Sequence, residues 1–182
     1  MININSLDKL IEDSENEILN IRPDTEKKII WANQNKMKTK ISLIFIHGFS
    51  ATRAELDPVI EMLGKELNAN IFFTRLRGHG LDGEALAEAT FDDWMIDTKD
   101  AIDIGNTIGD SLILIGCSTG CSLIHANLQY TENALAIIYV SPNFGPKSFF
   151  GQLLRIPGAK WFIPFIFGKE YSFVPRNADH AR

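Results

Sequence analysis

The residues with the clearest capacity for chemistry are Gly116-Cys117-Ser118-Thr119-Gly120, a G-x-S-x-G pentapeptide. A serine hydroxyl becomes a useful nucleophile when a sharp turn lifts it clear of a sheet edge beside amide donors. The flanks supply that setting. Ser111-Leu112-Ile113-Leu114-Ile115 has strand character, and Cys121-Ser122-Leu123-Ile124-His125-Ala126-Asn127-Leu128 reads as a helix. Strand, tight turn and helix make a nucleophile elbow. The turn forces Ser118 into a backbone region costing a non-glycine residue about 1–3 kcal/mol. Strand and helix then nearly touch, so the positions two before and two after Ser118 must be small, as Gly116 and Gly120 are. The alternative is a chance Gly-Ser-Gly turn, which the flanks argue against. Cys117 sits off the centre of the pentapeptide and reads as a small buried apolar residue.

The elements that must position this turn follow from the apolar runs. Lys28 to Ala32 is a short strand candidate, and the polar stretch Asn33 to Lys36 reads as a turn into the next strand. A hairpin here puts an antiparallel strand at the sheet edge. Ile41 to Ile46 is nearly all apolar, as a central parallel strand covered on both faces should be. Asn70 to Thr74, Ser111 to Ile115 and Ala134 to Val140 read as further buried strands. Between them lie helices. One begins either at a Thr52–Glu55 capping box or at Asp57-Pro58, and runs to about Asn68 with Leu56, Ile60, Leu63 and Leu67 facing in. Another is capped by Thr90, with Asp93 in its first turn. An N-terminal helix over Ser6 to Asn20 carries an apolar stripe of Leu7, Leu10, Ile11 and Ile18. Its acidic residues, Glu15 among them, read as a solvated face. Alternating strands and helices give an α/β fold with a mostly parallel sheet.

Composition narrows the function classes. The chain has 182 residues, 45% hydrophobic, enough for one domain with a real core. Its net charge is −5 and it has no basic run, which argues against nucleic-acid binding. No signal peptide and no transmembrane-length apolar run is evident. The two cysteines, Cys117 and Cys121, suggest neither a disulfide framework nor a metal site, and a reducing cytoplasm is the default location. No cofactor is implied.

From Ser141 the character changes. Seven of the twelve phenylalanines fall between Phe144 and Phe173, interrupted by five prolines from Pro142 to Pro175. This stretch reads as a lid lining an acyl pocket, a membrane-touching surface, or core cover. Residues 1–141 are accordingly taken as the N-terminal part of a core and 142–182 as the start of a Phe-rich cap.

Three motifs resemble the α/β-hydrolase superfamily, in the branch of monoacylglycerol lipases and carboxylesterases. His47-Gly48-Phe49 is similar to the oxyanion loop after the third strand of that fold. Arg77-Gly78-His79-Gly80 is similar to the loop after the fourth, and the Ser118 pentapeptide to the elbow. The three occur in family order, and the match covers about Lys28 to Val140. Cys121 is a departure, since many relatives have a second glycine there. The resemblance implies that Ser118 attacks the carbonyl of an apolar acyl ester, a small-molecule substrate. It implies that the amide N–H groups of Thr119 and Phe49 stabilise the oxyanion.

The resemblance also demands an acid and then a histidine after the serine. Only His125 and His180 follow Ser118. His125 lies about two helical turns beyond the elbow and points away from it. His180 directly follows Asp179, whereas a triad histidine takes its carboxylate from a separate strand-end loop. His79 and His47 precede Ser118 and read as loop-ordering residues. Each strand–helix unit takes roughly 30 residues, so the strands that should carry the acid and base are expected beyond Arg182. The chain is thus expected to be the N-terminal part of such a hydrolase, cut within the cap. Two function classes stay open: a serine esterase or lipase, and a catalytically inactive fragment that binds or assembles. An unpaired sheet edge and an uncovered lid would favour self-association.

Overall fold

In a computed structural model, which describes residues 3–145, the apolar runs form one five-stranded sheet. The strands are β1 (Lys28–Ile30), β2 (Thr39–Ile46), β3 (Asn70–Phe73), β4 (Gly109–Cys117) and β5 (Ala134–Val140). Their spatial order is β1-β3-β2-β4-β5. The four strands from β3 to β5 run parallel, and β1 is antiparallel at the edge. The helices are α1 (Leu7–Asn16), α2 (Val59–Leu67), α3 (Gly83–Glu88), α4 (Phe91–Ile108) and α5 (Thr119–Ala126). The chain divides into two units, Met1–Phe144 and Gly145–Arg182. All the elements named belong to the first. Most of the Phe-rich stretch, and His180, lie outside the described residues.

The period-2 geometry of the strands explains why their sequences are nearly all apolar. In β2, Ile44 and Ile46 enter one core while Leu43 and Phe45 enter the other. In β4, Leu112 and Leu114 face the first core, and Ile113, Ile115 and Cys117 the second. Leu7 and Ile11 of α1, Ala101, Ile102 and Ile108 of α4, and Leu123 and Ile124 of α5 close the first. Ile60 of α2 closes the second. Helices therefore cover both faces, and α4 is started by the full capping box between Thr90 and Asp93.

Several expectations are corrected. β1 does not form a hairpin with β2, because both edges of β2 are taken by β3 and β4. It pairs instead with β3, Lys28 opposite Phe73. The Asn70 side chain secures the crossing segment, accepting from the Ala32 N–H at 2.9 Å and donating to the Met37 and Ile108 carbonyls. β5 is not a buried strand: Leu135 is 65% and Ile138 41% exposed, since β5 pairs only with β4 among the described residues. Thr52 caps a 3-10 turn, Arg53–Leu56, rather than α2, which begins after Pro58. Leu67, Leu10 and Ile18 are exposed.

Glu15 departs furthest from the solvated face expected of it. It is 7% exposed and faces Arg75, itself 3% exposed. Arg75 Nε and Nη2 donate to its two oxygens at 2.7 and 2.9 Å, and the Lys27 N–H donates at 3.0 Å. Burial pushes the Glu15 carboxyl up, but these hydrogen bonds and the Arg75 and Lys27 charges outweigh it and hold the group below its ordinary value.

Candidate active site

Ser118 occupies the single-residue junction between β4 and α5, at φ 49° and ψ −111°. Its backbone is held there on both sides. The Ser118 N–H donates to the Val140 carbonyl at 3.0 Å, and its own carbonyl accepts from Cys121 at 3.1 Å and Asn143 at 3.3 Å. Neighbours that over-determine a left-handed residue are what let such strain persist. The close approach expected at the two glycines is present. A Cβ on Gly116 would lie 2.7 Å from the Cys121 nitrogen, and one on Gly120 would run into the Ile46 carbonyl. Cys121 fits against this turn: it is fully buried, and its Sγ donates to the Gly116 carbonyl at 3.0 Å. Cys117 is buried too, and burial followed by the nearby Glu55 carboxylate pushes its thiol up to about 12. It holds no thiolate near neutral pH.

The loop after β2 packs against this turn. A Cβ on Gly48 would lie 3.2 Å from Ser118 Cβ and 3.4 Å from the Cys117 carbonyl, so a side chain there would press on the turn. His47 fixes the loop's direction. Its Nε2 accepts from the Leu76 N–H at 3.1 Å, which puts the ring proton on Nδ1, 2.9 Å from the Gly48 carbonyl. The Ala51 N–H bonds to the same carbonyl at 3.2 Å. The Phe49 N–H is trans to that carbonyl and points the opposite way. Neither it nor the Thr119 N–H has an acceptor among the described residues. The Thr119 N–H directly follows Ser118 and opens α5, so it carries the polarity of a helix N-terminus.

The two loop histidines form a reciprocal clasp. His79 Nε2 accepts from the Ser50 N–H at 3.1 Å, which leaves its Nδ1 proton for the Arg77 carbonyl at 3.2 Å. The loop after β2 thus sends a ring to the loop after β3, and the second loop returns one. The rings stand 4.8 Å apart. Burial is the first cause that lowers both pKa values, His47 to about 3, so both rings stay neutral. Phe49 and Trp94 pack on His79 at ring distances of 6.1 and 5.4 Å. Arg75 Nη1 also donates to the His79 carbonyl at 3.2 Å, which ties the Glu15 ion pair to this loop.

Ser118 Oγ has no hydrogen-bond partner among the described residues, whose histidines are otherwise engaged. His125 is exposed on α5 and packs against Tyr139 and Phe144. Among the described residues no group of His, Cys, Asp and Glu could hold a metal ion, and no helix is long and apolar enough to cross a membrane. Two contributors were not legible as site residues: Glu55, whose carboxylate accepts from the Gly48 N–H at 2.7 Å, and Arg75. Glu55 was visible only as a cap partner, and nothing in its local sequence marks the contact.

The family model described as the alpha/beta hydrolase family matches residues 43–180. No curated protein sequence matches the chain. Among solved structures, the chain resembles one from work on the metagenome-derived lipolytic enzymes LipS and LipT, at 22% identity and TM-score 0.64, covering 75% of this chain and 53% of that one. It also resembles Est1E from Butyrivibrio proteoclasticus, solved with ferulic acid bound, at 20% identity and TM-score 0.53, covering 69% and 53%. The alpha/beta hydrolase GrgF from Penicillium sp. sh18 aligns at 17% identity and TM-score 0.54, covering 85% and 60%. The chain spans about half the length of the first two, and these likenesses concern the fold. With the parallel sheet and the strand–turn–helix around Ser118, the match over most of its length shows that this chain belongs to the alpha/beta hydrolase family.

Proposed function

We propose that this chain carries the nucleophile and oxyanion half of a serine ester hydrolase acting on apolar acyl esters. Ser118 Oγ attacks the ester carbonyl, and the N–H groups of Thr119 and Phe49 receive the oxyanion. The supporting observation is the strained Ser118 at the β4–α5 junction with the Gly48 loop packed on it. The location we assign is the cytoplasm. A second reading, an inactive binding or assembly module, is favoured by one observation: Ser118 Oγ lacks a base among the described residues.

Without a base the hydroxyl stays neutral and weakly nucleophilic. Losing the triad histidine of a serine protease costs on the order of a million-fold in kcat, or roughly 8 kcal/mol. The 182-residue chain is therefore expected to label slowly with a fluorophosphonate probe, with the adduct on Ser118, and to turn over a short p-nitrophenyl ester very poorly. An adduct on another serine, located by mass spectrometry, would remove the assignment. Turnover at ordinary esterase rates that vanishes in Ser118→Ala would mean that the chain completes its own triad, and His180 or His79 would be reconsidered as the base.

A further inference from the structure

We propose that Glu55 is a positioning residue of the oxyanion loop: its carboxylate holds the Gly48 N–H, in the peptide just before the one that carries the Phe49 N–H, and so restricts the rotation of Gly48 between the two. The inference rests on the reading of Ser118 and Phe49 given above, and it adds a side chain that none of the three motifs contains.

The geometry carries it. The Gly48 N–H donates to Glu55 Oε2 at 2.7 Å, a short charge-assisted bond. Glu55 Oε1 lies 2.9 Å from where a Gly48 Cβ would stand, and Ser118 Cβ lies 3.2 Å from the same point. The carboxylate and the serine thus flank one glycine. On the far side of Gly48, its carbonyl is held by His47 Nδ1 and the Ala51 N–H. Both peptide planes at Gly48 are therefore fixed, one by Glu55 and one by His47. The Phe49 N–H lies in the second plane, held through the Gly48 carbonyl, and Glu55 acts on it by holding the first plane and so restricting the φ and ψ of Gly48 between them.

Glu55 is itself held in place. It sits in the 3-10 turn Arg53–Leu56, capped by Thr52 Oγ1 accepting from the Ala54 N–H at 3.3 Å. The neighbouring Arg53 is buried, and its Nε and Nη2 donate to Asp24 at 2.8 and 3.2 Å. A carboxylate on an anchored turn can hold a loop peptide without paying for its own ordering at the moment of reaction. The role needs an acceptor oxygen at that place, which glutamine also supplies.

The test compares wild type, Glu55→Ala and Glu55→Gln in the full 182-residue chain. Amide hydrogen exchange at Gly48 is read by NMR, and the rate of fluorophosphonate labelling at Ser118 by mass spectrometry. The alanine variant is expected to speed Gly48 exchange at least about tenfold and to slow labelling by about tenfold, within the range for a small misplacement in a site. The glutamine variant is expected to rescue most of both. Gly48 exchange unchanged in the alanine variant would overturn the proposal. So would exchange that responds while labelling does not, or a glutamine variant as impaired as alanine. If Gly48 exchange depends on residue 55 but no form is labelled at Ser118, the clasp stands and the nucleophile reading fails.

Discussion

Removing Glu15 should destabilise the protein far more than removing any other acidic residue of α1. Glu15 accepts three hydrogen bonds, two from Arg75 and one from the Lys27 N–H, and Lys27 Nζ lies 4.0 Å away. In Glu15→Ala, Arg75 keeps its charge at a site where only 3% of the residue is exposed, and it loses two of its three hydrogen bonds. An uncompensated buried charge of this kind costs about 3–5 kcal/mol. For a chain of this size that corresponds to a fall in Tm of about 6–20 °C. A double variant, Glu15→Leu with Arg75→Met, removes both charges and should recover most of the loss, because apolar replacement of a whole buried pair is often neutral. Thermal and urea unfolding of Glu15→Leu, Arg75→Met and the double give the coupling directly. The pH dependence adds a second arm. The carboxyl is depressed on folding, so its contribution is complete above the unfolded value of 4.5 and is lost as pH falls through the lower folded value. Wild type should lose this component below about pH 4.5, and the variants lacking Glu15 should not. Single variants within about 1 kcal/mol of wild type, additive in the double, would refute the reasoning.

Other outcomes follow from the same contacts. Gly120→Ala drives a methyl into the Ile46 backbone, which cannot step aside, and should cost about 1–3 kcal/mol together with labelling at Ser118. An unchanged urea midpoint would contradict it. His47 and His79 are held neutral by burial, so their contribution is complete above an unfolded value of 6.5 and declines as pH falls toward the folded values. Urea unfolding should show a loss of about 1.4 kcal/mol from His47 between pH 7.5 and 5.5, with a further loss of the same sign from His79 that His79→Gln removes. The outer edge of β5 has no pairing partner among the described residues, and Leu135 is exposed beside it. Light scattering of the purified chain should show oligomers, and a monodisperse monomer that binds no hydrophobic dye would count against that.

What the sequence determined by itself were the features encoded within a few residues of one another. Gly116 and Gly120 around Ser118 predict the elbow because a sharp strand-to-helix turn has no room for side chains at those two places. The runs at Ile41 to Ile46 and Ser111 to Ile115 predict central strands because a strand apolar on both faces has to be covered on both. The capping box of α4 is legible because Thr90 and Asp93 are three residues apart. What only the tertiary structure decided were the contacts made by polar side chains across long separations. Glu15 meets Arg75 across 60 residues, and each loop histidine meets its amide partner across 29. A glutamate on an amphipathic helix has the same local pattern whether its face meets water or a buried guanidinium. The partner of β1 was likewise open, since a short edge strand satisfies its backbone equally well in a hairpin or along β3. Local conformational preference acts over one turn or one strand. The burial of a charge, and the peptide group it holds, depend on which chain segments the completed sheet brings together.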